Sequence, residues 1–247
     1  MNKPNYGLDA PPVIRNLVVA GGCCLFVGLT GWVLLAGVQR GAAYAVLFVM
    51  LFSAACFLIT AGAMIWSSKR GKLIAREKLI NSLSLRGHET VLDVGCGRGL
   101  LLTCAAKKLT SGKAIGLDLW QTEDQSGNDP LVTRANARLE GVADKVDVRS
   151  GDMREMPIPD TSVDAVVSNI AIHNITEKAG REKAIREIDR VLRPSGKIAL
   201  SDFRHVDEYG ETLRSLGWRD LRLSRPLFLI FPPVRILTGE KPGATKQ

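Results

Sequence analysis

The sequence predicts an α/β domain on a largely parallel sheet, preceded by two transmembrane helices. Three observations predict it. Residues 16–39 and 41–68 carry no charge and are separated only by Arg40, whereas nearly all acidic and most basic residues of the 247-residue chain follow position 68. From Thr90 onward, short β-branched runs alternate with helix-like segments, the pattern of βα units around a parallel sheet. Between the first such run and the first such helix lies the glycine-rich turn "VLDVGCGRG".

A spanning helix needs about 20 apolar residues at about 1.5 Å each, so residues 17–38 and 42–66 each reach across a hydrocarbon core of roughly 30 Å. Together with the flanking residues they make residues 1–68 a membrane-anchoring hairpin, with its tip at Gln39, Arg40 and Gly41. The second span holds ten Leu, Ile, Val or Phe residues between Val46 and Ile65. That content is worth on the order of −3 to −6 kcal/mol of insertion free energy. The first is diluted by Gly21, Gly22, Gly28, Gly31 and Gly37, residues that also let two helices approach closely in a bilayer. Two other readings are weaker. Lys3 and Arg15 before an apolar stretch, with Ala43, Tyr44 and Ala45 beyond it, resemble a cleaved signal peptide, but the stretch is long and a second span follows at once. Buried helices of a soluble core rarely run 25 residues without a charge.

Lys69, Arg70, Lys72, Arg76 and Lys78 cluster after the second span, against Arg40 alone at the tip. The positive-inside rule then gives an integral membrane protein with both termini and the following domain in the cytoplasm. Beside a span, such a cluster is read as a contact with anionic headgroups, about 1 kcal/mol per basic residue, and not as a nucleic-acid patch. The net charge of +8 says little about substrate. Leu73, Ile74, Ile80 and Leu83 recur at helical spacing, so residues 69–89 are expected to form a basic amphipathic linker helix.

Residues 90–247 supply the α/β domain. "TVLDVG", "KAIGLDL", "KVDVRSGD", "VDAVVSNI" and "GKIALSDF" read as strands. "LLLTCAAKKL", "PLVTRANARLEG", "REKAIREIDRVL" and "YGETLRSLGW" read as the helices between and after them, with Pro130 suited to a first helical turn. "DLRLS" and "VRILTGEK" are expected to close the sheet as a hairpin. Open α/β sheets bind ligands at the carboxyl ends of their strands. There Gly95, Gly97 and Gly99 let backbone approach a ligand at positive φ. Asp118, at the end of the second strand, is placed to accept both hydroxyls of a ribose. Leu100 stands where a dinucleotide fingerprint needs its third glycine, which counts against a nicotinamide oxidoreductase.

From about Thr90 to Asp202 the chain resembles the class I S-adenosylmethionine-dependent methyltransferases, in particular the ubiquinone and menaquinone methyltransferase-like group. "VLDVGCGRG", "IGLDLW", "SGDMREMPIPDTSVDAVVSNIAIHNI" and "VLRPSGKIALSD" carry the likeness. It implies a Rossmann-like sheet with helices on both faces and S-adenosyl-L-methionine as cofactor. Gly95, Gly97 and Gly99 would admit its methionine part, and Asp93 would help orient its amino group. Asp118 would hold the ribose and Leu119 would pack on the adenine. Asp152 would accept the adenine amino hydrogen beside the Met153 amide, and Asn169 would line the methionine moiety. Holding the acceptor in line with the sulfonium methyl would supply much of the rate.

A general base is required only if the acceptor must lose a proton. His173 is the candidate, with substrate contact or a plain loop histidine as alternatives. Asp202 and His205, at the exit of the fifth strand, are substrate-side candidates, as is Trp120. In the polar insertion of residues 120–129, Trp120, Gln125 or Asn128 is expected either to touch cofactor or substrate or to sit in a solvated loop. "RPLFLIFPP" is either strand core or a greasy surface at a membrane interface or acceptor entrance. "SNIA" departs from the motif of DNA and many protein N-methyltransferases. The five cysteines suggest no thiolate relay and are expected to be reduced thiols. His88, His173 and His205 lack metal-ligand spacing, so no metal is expected.

The expected function is methyl transfer to a small acceptor that partitions into the membrane, lipid or quinone-like, drawn from the bilayer that holds the protein. A soluble thiol, amine or hydroxyl acceptor is the alternative, and a nonenzymatic cofactor-binding scaffold the further one. No nucleic acid is expected, and protein partners are unspecified.

Overall fold

The computed structural model describes residues 3–121 and 127–243. Two compact units divide the chain: residues 8–69, and residues 1–7 together with 70–247. This departs from the expected boundaries, because the first residues of the chain and the linker helix belong to the α/β unit.

The smaller unit is a pair of long helices, α1 (Pro11–Leu35) and α2 (Arg40–Trp66). α1 begins six residues before the expected span and ends three short of it. Proline at its first turn favours that start, whatever the charge on Arg15. The turn between the helices falls at residues 36–39, so Arg40 opens α2 instead of forming the tip. The helices pack through small residues. Gly21 and Gly28 are buried on α1, and Ala43, Ala54 and Ala61 on α2. A methyl group at Gly28 would sit 2.8 Å from Met50 Cβ, and one at Gly21 2.9 Å from Leu58 Cγ. Gly31 faces Val46, but Gly22 and Gly37 have nothing within 4 Å, so three of the five glycines serve the packing. The remaining surface is apolar: Phe26, Leu34, Phe48, Phe52 and Ile59 are each at least 65% exposed. Both helices are long and apolar enough to cross a membrane, and only 11% of the apolar stretch of each is buried. At the ends of this unit the Ser68 hydroxyl donates to Asp9 Oδ2 and accepts from the Asp9 amide, both at 3.1 Å.

A π-helical stretch, Ser67–Gly71, precedes α3 (Lys72–Ser82). α3 is shorter than the expected linker, and its buried face is Ala75, Leu79 and Ile80 followed by Leu83, with Ile74 turned outward. The α/β unit continues with β1 (Thr90–Val94), α4 (Leu100–Lys108), β2 (Lys113–Asp118), α5 (Pro130–Leu139), β3 (Val146–Ser150) and β4 (Val163–Asn169). Then come α6 (Lys178–Val191), β5 (Leu192–Asp202), α7 (Val206–Ser215), β6 (Arg222–Leu223) and β7 (Arg235–Glu240). Seven described strands form one sheet in the order β3-β2-β1-β4-β5-β7-β6. The first five are mutually parallel, and β7 and β6 add antiparallel.

Alternation along the strands builds two cores, one per face. Leu92, Val94, Ile198 and Leu200 point to the side of α6 and α7, where Ile185, Ile188, Leu213 and Trp218 are buried. Val91, Ala165, Val167 and Ala199 point to the other side, with Leu79, Ile80, Leu102, Ala105 and Ala137. With both faces covered, the exposed part of the sheet is its edge of strand ends and loops.

Candidate functional site

Left-handed backbone collects at the carboxyl ends of the strands. Gly95, Gly97 and Gly99 follow β1 with φ of 71°, 49° and 81°. Trp120 follows β2 at 62°, Ile170 follows β4 at 53° and His205 follows β5 at 61°. For a β-branched residue such as Ile170 this conformation is strained, and strain of this kind gathers where loops are shaped for a ligand. The Ile170 amide is fixed to the Ser201 carbonyl at 2.8 Å.

The glycine loop is held from both sides. Amides of Gly95 and Cys96 donate to Leu117 O at 2.8 and 3.1 Å, and the Gly97 amide donates to Asp118 Oδ2 at 2.7 Å. The other carboxylate oxygen of Asp118 accepts from the Trp120 amide at 2.7 Å and from Asn128 Nδ2 at 3.0 Å. Asp118 therefore stitches the loop after β1 to the loop after β2. A carboxylate offers about four acceptor positions, so capacity remains for hydroxyl donors. Behind the loop, Thr133 donates to Gly97 O at 2.6 Å and Asn136 to Arg98 O at 2.9 Å. Gly95 admits no side chain, since a Cβ there would lie 2.3 Å from Ala171 Cβ.

Asp93 is 2% exposed, and its Oδ2 makes no hydrogen bond. Burial pushes its carboxyl up to about 8, the Asp118 charge adding to the rise against a bond from the Leu102 amide. Such an unsatisfied buried oxygen at a ligand-facing strand end suits a cationic or hydrogen-bonding ligand group. Cys96, also buried, has its thiol raised well above the ordinary value by burial and by the charges of Asp93 and Asp118. Leu119 is 47% exposed beside these groups. Trp120 donates through its ring nitrogen to Ser150 Oγ at 2.8 Å, so its indole is tied to the end of β3. Gln125 lies outside the described residues, while Asn128 is buried with its Oδ1 unpartnered. Asp152 is gripped by Arg154, whose guanidinium donates to both carboxylate oxygens at 2.6–3.1 Å and lowers the Asp152 pKa. Met153 packs against the core, and Asn169 ends β4 opposite Ser201.

His173 stands in a short 3-10 turn, Ile172–Asn174. Its Nδ1 lies 2.8 Å from Asp202 Oδ1, and its ring centroid lies 4.4 Å from that of Phe203. Asp202 is 1% exposed and also accepts from the amides of His173 and Phe203 and from the Tyr209 hydroxyl. Asp202, expected on the substrate side, has its carboxylate bonded to the protein amides and hydroxyl that surround the His173 turn. The Nδ1–Asp202 approach lacks hydrogen-bond alignment, so the carboxylate holds the turn through the His173 amide at 3.1 Å and acts on the ring by its charge. His205 pairs instead with Glu208 at 2.8 Å on the first turn of α7. Buried Arg181 ties Glu208 to the carbonyls of Ile175 and Thr176, fixing the loop that carries His173. The described residues hold no cluster able to bind a metal, and all five cysteines are free thiols.

Sequence reasoning missed one apolar cluster. Ala75, Ile230 and Val234 are buried against Ile170, Phe203, Leu227 and Leu229, while Phe228 and Phe231 beside them are 75% and 38% exposed. "RPLFLIFPP" is thus neither strand core nor wholly surface. Only the single bridge between Leu227 and Val234 is strand-like.

Residues 92–200 match the family described as "Methyltransferase domain". A demethylmenaquinone methyltransferase of Lactobacillus johnsonii is 26% identical over 167 residues, 66% of this chain and 60% of that relative. The chain spans less than two thirds of the length of the first curated relatives it matches. A SAM-dependent methyltransferase from Aquifex aeolicus has the same fold at a TM-score of 0.55 and 22% identity, covering 73% of this chain and 97% of that one. The [4+2]-cyclase SpnF shares the fold at 0.58 and 20% identity, over 70% and 81% of the two chains. Residues 92–200 thus match a methyltransferase domain, and the resemblance of the site's motifs implies S-adenosylmethionine as its ligand. The residues present fit it: the Asp93 oxygen lacks a partner, Gly95 leaves no room for a side chain, and Asp118 retains acceptor capacity.

Proposed function

We propose that this chain is a membrane-anchored methyltransferase whose acceptor is a small molecule partitioned into the bilayer, lipid or quinone-like. The observation that carries the acceptor class is the apolar cluster of Ala75, Ile170, Phe203, Leu227, Ile230 and Val234. It begins at Phe203, against the His173 ring, and reaches the exposed aromatic tip at Phe228 and Phe231. A greasy wall of this kind favours an apolar acceptor over a charged one.

S-adenosylmethionine, when bound, supplies an activated methyl group on sulfur. The protein's residues bind and orient it. The glycine loop gives it backbone contact, Asp118 accepts its ribose hydroxyls, and Asp93 presents a carboxylate to its amino group. Leu119 and Asp152 attend the adenine, with Met153, and Asn169 lines the methionine part. His173, aligned by Asp202, takes the proton from an acceptor that must lose one. Phe203 lies against the His173 ring as an apolar neighbour. Trp120 and His205 flank the site as secondary contacts.

The two apolar helices are read as an integral membrane hairpin. Their exposed aromatic and aliphatic side chains would be costly in water, and Lys69, Arg70 and Lys78 put both termini and the domain in the cytoplasm. Incubating the protein in membranes with methyl-labelled cofactor, then separating lipid from aqueous products, tests the proposal. Label in the lipid fraction is expected, and loss of that label with Phe228→Asp supports entry at the aromatic tip. Label confined to water-soluble products would refute the acceptor class.

A further inference from the structure

Residues 5–7 lie far in sequence from the cofactor loop, yet they are built into its support. The Asn5 amide donates to Asn136 Oδ1 at 2.9 Å, and Asn136 Nδ2 donates back to Asn5 O at 3.0 Å, a two-way pairing of backbone with a side-chain amide that is 2% exposed. The same Asn136 nitrogen holds Arg98 O in the glycine loop, while Arg98 Nε donates to Asn5 O at 3.0 Å. Tyr6 is 7% exposed. Its hydroxyl donates to Glu140 at 2.6 Å and lies 2.8 Å from the Thr103 hydroxyl, itself 2.8 Å from the Gly99 carbonyl oxygen. Arg76 lies over the Tyr6 ring at 5.3 Å. Buried Lys72 closes the arrangement, donating to the carbonyls of Tyr6 and Gly7 at 2.9 and 2.8 Å.

The carbonyls of Gly97, Arg98 and Gly99 are thus held by Thr133, Asn136 and Thr103, and two of those three side chains are also bonded to residues 5–6. We propose that residues 5–7 form a strap that positions the glycine loop for its cofactor, with Tyr6 as a positioning residue acting through Thr103 and Glu140. This rests on the methyltransferase reading. A loop whose carbonyls are fixed has less freedom to lose on binding, so the strap contributes to cofactor affinity by preorganisation. Loss of the strap should therefore weaken cofactor binding and leave turnover at saturating cofactor unchanged.

The test uses the full chain in lipid nanodiscs, with S-adenosylmethionine and S-adenosylhomocysteine affinities measured by calorimetry. Tyr6→Phe keeps the ring and removes the hydroxyl, and should raise Kd about 5-fold, the worth of one or two hydrogen bonds. Removing residues 1–6 should raise it further, and a synthetic peptide of those residues added in trans should restore part of the loss. In both variants the KM for cofactor should rise with kcat unchanged. Variants that bind both ligands like the parent, even with lowered melting temperatures, would overturn the strap's role and leave the methyltransferase reading intact. A parent protein that binds neither ligand would overturn that reading itself.

Discussion

Replacing Asp93 by Asn tests the cofactor site through protons. With its carboxyl pushed up to about 8, the ligand-free protein at pH 7 carries a proton there in roughly nine molecules of ten. A cationic amino group beside Oδ2 favours the ionised form, so binding should expel roughly 0.9 proton per molecule at pH 7. Affinity should accordingly rise about 30-fold between pH 5.5 and 7, the ratio of ionised fractions for a pKa near 8. Stability slopes the other way. The folded pKa lies above the ordinary 3.8, so between these values the folded protein holds a proton that the unfolded chain releases. The ligand-free protein gains most from this group below about pH 4 and loses about 1.4 kcal/mol per pH unit until about pH 8. Cys96 does not confuse the measurement, because burial keeps its thiol neutral across this range. Calorimetry in two buffers of different ionisation heat reads the proton, and thermal unfolding reads the stability slope. Asp93→Asn should bind more weakly, exchange no proton at this site and flatten both profiles. Binding by the parent with no proton release and a Kd independent of pH would refute the reasoning.

Gly95→Ala should lose cofactor binding and about 2–4 kcal/mol of stability, because the new methyl group meets Ala171 Cβ at 2.3 Å and the backbone sits at φ 71°. Denaturant unfolding checks it, and adding Ala171→Gly should recover the steric part but not the backbone part. His173→Ala should slow turnover by roughly 10²- to 10⁴-fold on an acceptor that must lose a proton. Asp202→Asn should slow it less, with little change in cofactor KM, read by steady-state kinetics. Unchanged turnover in His173→Ala on such an acceptor would remove the base assignment.

Much of the α/β unit was legible because its signals are local. A β-branched run, a glycine turn and a helix lie within about twenty residues of one another from Thr90 to Lys108, and Asp118 ends the next strand. The apolar helices were legible by length, although α1 begins six residues before the expected span. The helical backbone is indifferent to Arg15, and the prolines at 11 and 12 were the better signal. What escaped depended on distant partners. Nothing in "NYG" announces a strap, since its partners lie 65 to 134 residues away. Asp202 was legible as a carboxylate at the exit of the fifth strand, but its burial beneath the turn carrying His173 was not. Ala75, Ile230 and Val234 form a cluster only because α3 meets a loop some 150 residues later.

The strap also sets an order of events in synthesis. Residues 5–7 leave the ribosome before the two apolar helices, but their partners Asn136 and Glu140 follow only 131 and 134 residues later, after both helices are made. At typical rates of about 5–20 residues per second, several seconds pass in which the helix pair is made while residues 5–7 remain undocked. Closure of Lys72 onto Tyr6 and Gly7 then joins the chain on either side of the hairpin into a ring. The α/β unit thus completes itself around a segment made before the helix pair, and a helix pair that failed to return residues 5–7 to it would leave the glycine loop without those partners.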